Sequence, residues 1–443
     1  MTSIRYQFSE ISPENTIFAI LSFEGPDRYA LAGGLGVRVS ELSEALAQAG
    51  FETHLFFVGS PDRPEHETDN EERRHLWRCC QGVSARYTAG VYQGEDEKRD
   101  EFNRTLPPLL LSQIARPAEQ AGKLLVILGE DWHTAEAMCN MSDLLYWQGL
   151  RSHAILLWNA NSIFGFERID WTRLQVATRI TTVSRYMKRV LWAQGVNALV
   201  IHNGIPDRHL ETVPIEPVHQ LRTILADRLI LTKFARFDPD KNWIPAVQAV
   251  ARLRALGHQP LLIMRGGIEA YGMKVFAEIT NLGLRQENIM LEQPTVEEFL
   301  ADIQCAQGEA DVLFCRFFVP ETIQRVLYRA SHAVLANSSH EPFGLVGLEV
   351  MAAQGLAFVG STGEDYAQHL LNAISMDTND PNEIVGNLLY LQHHTRVAEE
   401  LRRIGRITAR FYVWPRIIGK LVSKLQYLLM TGGISWPRKD IGP

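Results

Sequence analysis

Cysteine is scarce in this chain: five of 443 residues, at positions 79, 80, 139, 305 and 315. The odd number and irregular spacing give neither a disulfide framework nor a metal-ligand pattern, so reduced thiols in a cytoplasmic protein are expected. No uninterrupted apolar stretch reaches membrane-spanning length. Residues 1–23 lack the basic start and apolar core of a secretory signal. A basic excess is missing too. Lys and Arg number 44 against 51 Asp and Glu, a formal net charge of −7, which argues against a broad nucleic-acid-binding surface. Internal repeats, low-complexity tracts and the G-x-G-x-x-G dinucleotide fingerprint are also lacking.

What is present describes an ordinary globular protein, 46% hydrophobic and 21% charged, too long for a single core. Two domains are expected, at 1–212 and 213–411, with a C-terminal helix within 412–443 packing back on the first. Apolar runs at 16–22, 54–58, 124–128, 154–158, 180–183 and 198–201 read as strands, and 37–49 reads as a helix. Such alternation predicts an α/β fold with a parallel sheet wrapped by helices. The more polar segment 62–104 reads as an insertion or long connection with short elements of its own. A break follows Asn203-Gly204-Ile205-Pro206, and 211–218 carries two prolines without clear periodicity. A second series then runs through 228–233, 261–264, 288–291, 312–315, 333–336 and 357–359, with helices at 245–256 and 296–303. Two doubly wound sheets in tandem place ligands at the C-terminal strand ends, hence in a central cleft.

The segment Ser338-Ser339-His340-Glu341-Pro342-Phe343-Gly344-Leu345-Val346-Gly347-Leu348-Glu349 holds two carboxylates around a glycine-bearing helix start. With a helix beginning at Pro342, Glu341 and Glu349 lie about 12 Å apart along its axis. The N–H groups at that start, with the macrodipole, suit a diphosphate. Helical arithmetic from Leu345 puts Glu349 inside an apolar stripe with Leu348 and Ala352, a costly place for a carboxylate without a polar partner.

Other clusters end strands, each readable as a ligand contact or as a plain turn. Ala32-Gly33-Gly34-Leu35-Gly36 precedes a helix and lets backbone approach a ligand. Asp131-Trp132-His133 follows 124–128, where an imidazole can meet a hydroxyl. Arg236 and Lys241 flank one strand-end loop and can clamp a diphosphate. Ser184, Asn203-Gly204, Asn159 with Asn161, and Arg265-Gly266-Gly267 complete the set.

Together these residues resemble a retaining glycosyltransferase of the GT-B fold, close to family four, over nearly the whole chain. The most specific part is the acidic pair Glu341 and Glu349 with seven residues between, supported by Arg236 with Lys241. The resemblance implies that Glu349 binds ribose and that Glu341 lies by the transferred sugar. It further implies backbone contacts from Phe343, Gly344 and Leu345, and a diphosphate held by Arg236 and Lys241 and approached by Gly34. Ser184, Arg265 and Gly266 join the donor set, and His133 sits beside the reacting sugar. Glu24, Asp131, Trp132, Asn159 and Asn161 are acceptor-side candidates. Leu31-Ala32 stand where glycogen and starch synthases carry Lys-Thr, which speaks against ADP-glucose use. The Asp-Thr-Gly-Gly-Gln loop of sucrose-phosphate synthases is also missing.

The expected activity is metal-independent transfer of a hexose, glucose favoured, to a hydroxyl acceptor: a small sugar, a glycan or a lipid-linked acceptor. The donor is a nucleotide-sugar, UDP favoured over GDP or ADP, with no further cofactor. A sugar-nucleotide epimerase of the same fold and a catalytically silent carbohydrate binder are the alternatives.

Overall fold

A computed structural model describes residues 10–69, 72–306, 308 and 310–431. They fall into two compact units, one ending at Gly204 and joined by the chain from Trp414 onward, the other running from Ile205 to Val413. Residues 432–443 of the expected C-terminal segment, and the first nine residues, lie outside the described residues.

The first unit contains β1 (Thr16–Leu21), β2 (Glu52–Val58), β3 (His66–Asp69), β4 (Arg74–Cys79), β5 (Leu124–Glu130), β6 (Ala154–Ala160), β7 (Arg179–Thr182) and β8 (Leu199–Val200). They form one sheet in the order β3-β4-β2-β1-β5-β6-β7-β8. Neighbours are parallel except β3, which runs antiparallel to β4. Every residue of β1, β5 and β6 is buried, as expected of parallel strands covered on both faces. The polar segment 62–104, expected as an insertion or long connection with short elements of its own, contributes two of them, β3 and β4, to this sheet. Its β4 pairs with β2 from Thr53 opposite Arg74 to Val58 opposite Cys79. Its polarity reflects the sheet edge, where three of the four β3 residues are exposed.

The helix Trp414–Thr431 belongs with this unit. Its buried face, Trp414, Ile417, Ile418, Leu421, Leu425, Leu428 and Leu429, repeats at helical spacing. Trp414 Nε1 donates to Glu41 on the helix Gly34–Gln48 at 3.0 Å. No described helix is long and apolar enough to cross a membrane.

The second unit contains β9 (Leu229–Phe234), β10 (Pro260–Arg265), β11 (Gln286–Ile289), β12 (Val312–Cys315), β13 (Ala333–Ala336), β14 (Ala357–Val359) and β15 (Ile374–Ser375). Their order is β11-β12-β10-β9-β13-β14-β15, all parallel. The unit begins at Ile205 rather than at the expected 213. Ile205 N donates to Tyr412 O, and Arg329 holds the Val213 carbonyl, so 205–213 are tied to the second core. The aperiodic-looking 211–218 leads into a helix, Ile215–Ile224. Pro217 sits in its first turn, where an amide hydrogen would have no intrahelical partner.

Both sheets reverse direction once, between β1 and β5 and between β9 and β13. Such switch points open crevices beyond the C-terminal strand ends, where open α/β sheets bind ligands. The sequence clusters fall there: the glycine loop after β1, Trp132 and His133 after β5, Arg236 and Lys241 after β9, and Glu341 after β13.

Candidate functional site

In the second unit, the loops that follow β9 and β13 are stitched together. Ser339 N donates to Asp240 O at 2.8 Å, Ser339 Oγ to Asn242 Oδ1 at 2.8 Å, and Asn242 Nδ2 to Asn337 O at 2.8 Å. This brings two residues one hundred apart in sequence into an ion pair, Lys241 Nζ to Glu341 Oε2 at 2.5 Å. Both side chains keep about a fifth of their surface exposed, 22% and 23%. Thr362 fixes Glu341 by accepting from its N–H at 3.0 Å and donating back to its carbonyl at 3.2 Å.

The helix starts later than the sequence arithmetic placed it. It spans Leu345–Ala352, with Gly344 as N-cap at φ +76° and no side-chain cap. Pro342 therefore lies in the approaching loop, and the axial distance reckoned from a Pro342 start does not apply. Glu349 is also not on the buried stripe. Gly347, Leu348, Val350, Met351 and Ala352 form the buried face, while Glu349 shares a half-buried face with Leu345 and Val346. The buried face is centred away from Glu349, on Val350, Met351 and Gly347, and Gly347 packs where a larger side chain would collide with Tyr366. Phe343 is buried against Tyr366 and Tyr412, and the Tyr366 hydroxyl donates to the Gly344 carbonyl.

Arg236 is exposed, with no side-chain hydrogen bond or ion pair among the described residues; its carbonyl accepts from Trp243 Nε1 at 2.8 Å. Arg265 lies over the Phe318 ring at 5.6 Å, and Gly266 backs onto Phe237.

Two residues of this unit had no part in the expected set. Lys233 is 1% exposed and donates to Leu335 O at 3.1 Å and Asn337 Oδ1 at 2.7 Å, with its ammonium 5.2 Å from the Trp243 ring centre. Burial, helped by Lys241, pushes its pKa down to about 7. A lysine at the end of a buried strand was the available signal. Glu364 is 6% exposed, beside Glu341 and Gly344. Its Oε2 accepts from Thr362 N at 3.1 Å, while Oε1 is buried without a hydrogen-bond partner. Burial pushes its pKa up to about 8, with the Glu341 charge adding to the rise.

In the first unit, Glu24 organises the glycine loop. Its Oε2 accepts from Ala32 N, Gly33 N and Gly36 N at 3.2, 2.8 and 3.1 Å, and Oε1 accepts from the Tyr92 hydroxyl at 2.5 Å. A Cβ at Gly36 would stand 3.0 Å from Glu24 Oε2, so Gly36 is the position that needs glycine; Gly34 is exposed, with open space beside it. Ser184 accepts from Met187 N at 3.1 Å as the N-cap of the helix Arg185–Ala193.

His133 is 4% exposed and stacks on Phe23 with centroids 4.2 Å apart. Its Nε2 meets Glu95 Oε1 at 2.6 Å, while Nδ1 is buried without a hydrogen-bond partner. Burial pushes its pKa down to about 4, leaving a neutral imidazole. Asp131 holds φ +62° and accepts from Asn161 N, Ser162 N and Ser162 Oγ, and burial raises its pKa to about 7. Asn159 and Asn161 give their amide hydrogens to Glu130 Oε2 at 2.9 and 2.6 Å, and Arg38 pairs with the same carboxylate at 3.1 Å. Their polar atoms therefore gather on the buried Glu130 carboxylate, with Asn161 itself half-buried. Trp132 and His133 border a recess of about 440 Å³, lined also by Arg99, Glu136, Arg168 and Arg173.

Residues 219–408 match the family model described as "Glycosyl transferases group 1". The chain is 22% identical over 397 residues to an uncharacterized glycosyltransferase of Methanocaldococcus jannaschii, covering 83% of this chain and 86% of that one. A sucrose-phosphate synthase from Thermosynechococcus elongatus superposes with a TM-score of 0.64 at 19% identity, covering 94% of this chain and all of that one. A UDP-forming α,α-trehalose-phosphate synthase from Burkholderia xenovorans, solved with glucose-6-phosphate, gives 0.64 at 15% identity, over 93% of this chain and all of that one. At such identities the structural likeness establishes fold alone. The chain has the GT-B fold, and the matched domain lies in its second unit, which supports a glycosyltransferase.

Proposed function

We propose that the chain is a retaining hexosyltransferase that moves a hexose, with glucose the first candidate, from a UDP-sugar to a hydroxyl acceptor. The observation that carries this reading is the Lys241–Glu341 pair beside the Gly344-capped helix start. It sets a phosphate-binding cation against a sugar-side carboxylate at the switch point of the second sheet. In this reading Arg236 and Lys241 receive the diphosphate, together with N–H groups at Phe343, Gly344 and Leu345. Arg265 and Gly266 flank it, and Glu349 takes the ribose hydroxyls. Glu341 exchanges its ion pair for a hydroxyl of the moving sugar.

Retention follows from front-face displacement. The bond from the anomeric carbon to the leaving phosphate oxygen breaks as the acceptor oxygen bonds on the same face. The departing phosphate takes the acceptor proton. Arg236, Lys241 and the helix start neutralise the charge that develops on the diphosphate, so the step draws on no metal ion.

From the first unit, Gly34, Ser184 and His133 are assigned to the donor, and Asp131 and Trp132 to the acceptor. The neutral His133 imidazole has an unsatisfied Nδ1 to offer a sugar hydroxyl. Glu24, Asn159 and Asn161 act by shaping the loops that carry these groups. The UDP-forming relative makes UDP-glucose the first donor to test.

Calorimetry with UDP and with uridine tests the diphosphate clamp. Arg236→Ala and Lys241→Ala should each weaken UDP by roughly tenfold or more, the worth of a charge-assisted contact, and leave uridine nearly unchanged. Equal losses for both ligands would refute the clamp.

A further inference from the structure

One group of side chains in the first unit has no part in the proposed transfer. Glu52 and His54 alternate on β2, His75 and Trp77 on β4, and His66 lies on β3. The ladder register makes His54 the partner of His75 and His66 the partner of Trp77, so all five project from one face. His54 stacks on His75 at 4.3 Å, and His66 Nε2 meets His75 Nδ1 at 3.2 Å. Glu52, His54 and His75 offer ligand atoms that all lie within 4.8 Å of one another, and no other described residues converge in this way. His54 Nε2 is already 3.2 Å from Glu52 Oε1. Two ligands of one tetrahedral zinc ion stand about 3.3 Å apart, given bonds of about 2.0–2.1 Å. Of the three ligands, His75 has the distance to close.

We propose that Glu52, His54 and His75 form a structural binding site for a divalent transition-metal ion of the zinc class, with His66 as a further imidazole on the adjoining edge strand. Imidazole with one carboxylate is a ligand set for borderline ions such as zinc, copper or nickel, rather than for calcium or magnesium. The position suits a structural role. These residues sit at the start of β2 and β4, while His133 follows the end of β5, and the three strands run parallel. The ion is thus at the opposite end of the sheet from His133, where it would pin the edge strand β3 to its neighbours.

Binding must rearrange two contacts. His54 Nε2–H now donates to Glu52, because Nδ1 accepts from Trp77 Nε1 at 3.2 Å. Coordination through Nε2 moves that proton to Nδ1, with no net proton released, and two N–H groups then face each other. The Trp77 indole has to turn away, which makes it a reporter. Glu52 keeps Lys123 on its other oxygen, at 3.0 Å.

The test uses the full chain after dialysis against a chelator, titrated with Zn²⁺ by calorimetry and with Co²⁺ by absorption. One site should appear, with Co²⁺ bands of nitrogen and oxygen ligation, no thiolate charge-transfer band, and a tryptophan fluorescence change that Trp77→Phe removes. His54→Ala and His75→Ala should each weaken Zn²⁺ by roughly tenfold or more. Since His54 is buried, the half-buried His75→Gln and Glu52→Gln, checked for an unchanged circular dichroism spectrum, serve as second variants. Unaltered affinity in these variants, thiolate bands, or no Zn²⁺ binding by the unmodified chain would overturn the site.

Discussion

The charge that Glu364 carries depends on where the chain puts it. Beneath Gly344 its carboxyl is shielded from water, and burial together with Glu341 holds the proton to about pH 8 against an ordinary value of 4.5. The folded chain thus binds this proton more tightly than the unfolded one. Its contribution to stability is complete below pH 4.5 and is lost as pH climbs through about 8. Glu364→Gln keeps the shape without the titration. Its melting temperature should fall less than that of the unmodified chain between about pH 5 and about pH 8.5. Asp131 titrates at about 7 in the other unit and is common to both proteins, so it leaves the difference intact. Parallel pH profiles for the two proteins would show that Glu364 is not a buried acid. Nothing in the sequence announced this residue: a carboxylate in a loop after a short strand reads as solvated until the glycines around it are seen in space.

At the level of elements, the readable parts were those with a one-dimensional cause. The strands at 312–315, 333–336 and 357–359 agree residue for residue with the apolar runs, because parallel strands covered on both faces need continuous hydrophobicity. The start of the helix Leu345–Ala352 was not readable in this way. Pro342 satisfies the preference for proline in a first helical turn, yet the chain turns into the helix only at Gly344, through a left-handed conformation. That conformation makes a prediction. Gly344→Ala should cost about 1–2 kcal/mol from backbone strain alone, and its Cβ would also stand 2.8 Å from Glu364 Cγ. A thermal melt should show a fall of several degrees for the second unit. An unchanged melting temperature would mean the positive φ is not required. The pairing of Lys241 with Glu341 was likewise hidden, since it depends on β9 and β13 being neighbours in the sheet.

At the scale of the whole molecule, two doubly wound sheets were legible from alternation, and the GT-B fold follows from them and from the structural relatives. The boundary between the units was less so: residues up to 212 were expected in the first domain, yet the backbone of 205–213 is bound to the second core. The site is the more demanding claim, because it asks that residues of the matched domain perform chemistry on a donor. The acceptor need not be known to test this, since water that enters the site can stand in for an acceptor hydroxyl. Release of UDP from UDP-glucose should be measurable with the unmodified chain. It should fall by roughly a hundredfold or more in Glu341→Ala, while the circular dichroism spectrum and melting temperature stay close to those of the parent. Equal UDP release by the two proteins, or conversion of the donor to an epimeric nucleotide-sugar with no UDP formed, would contradict the account.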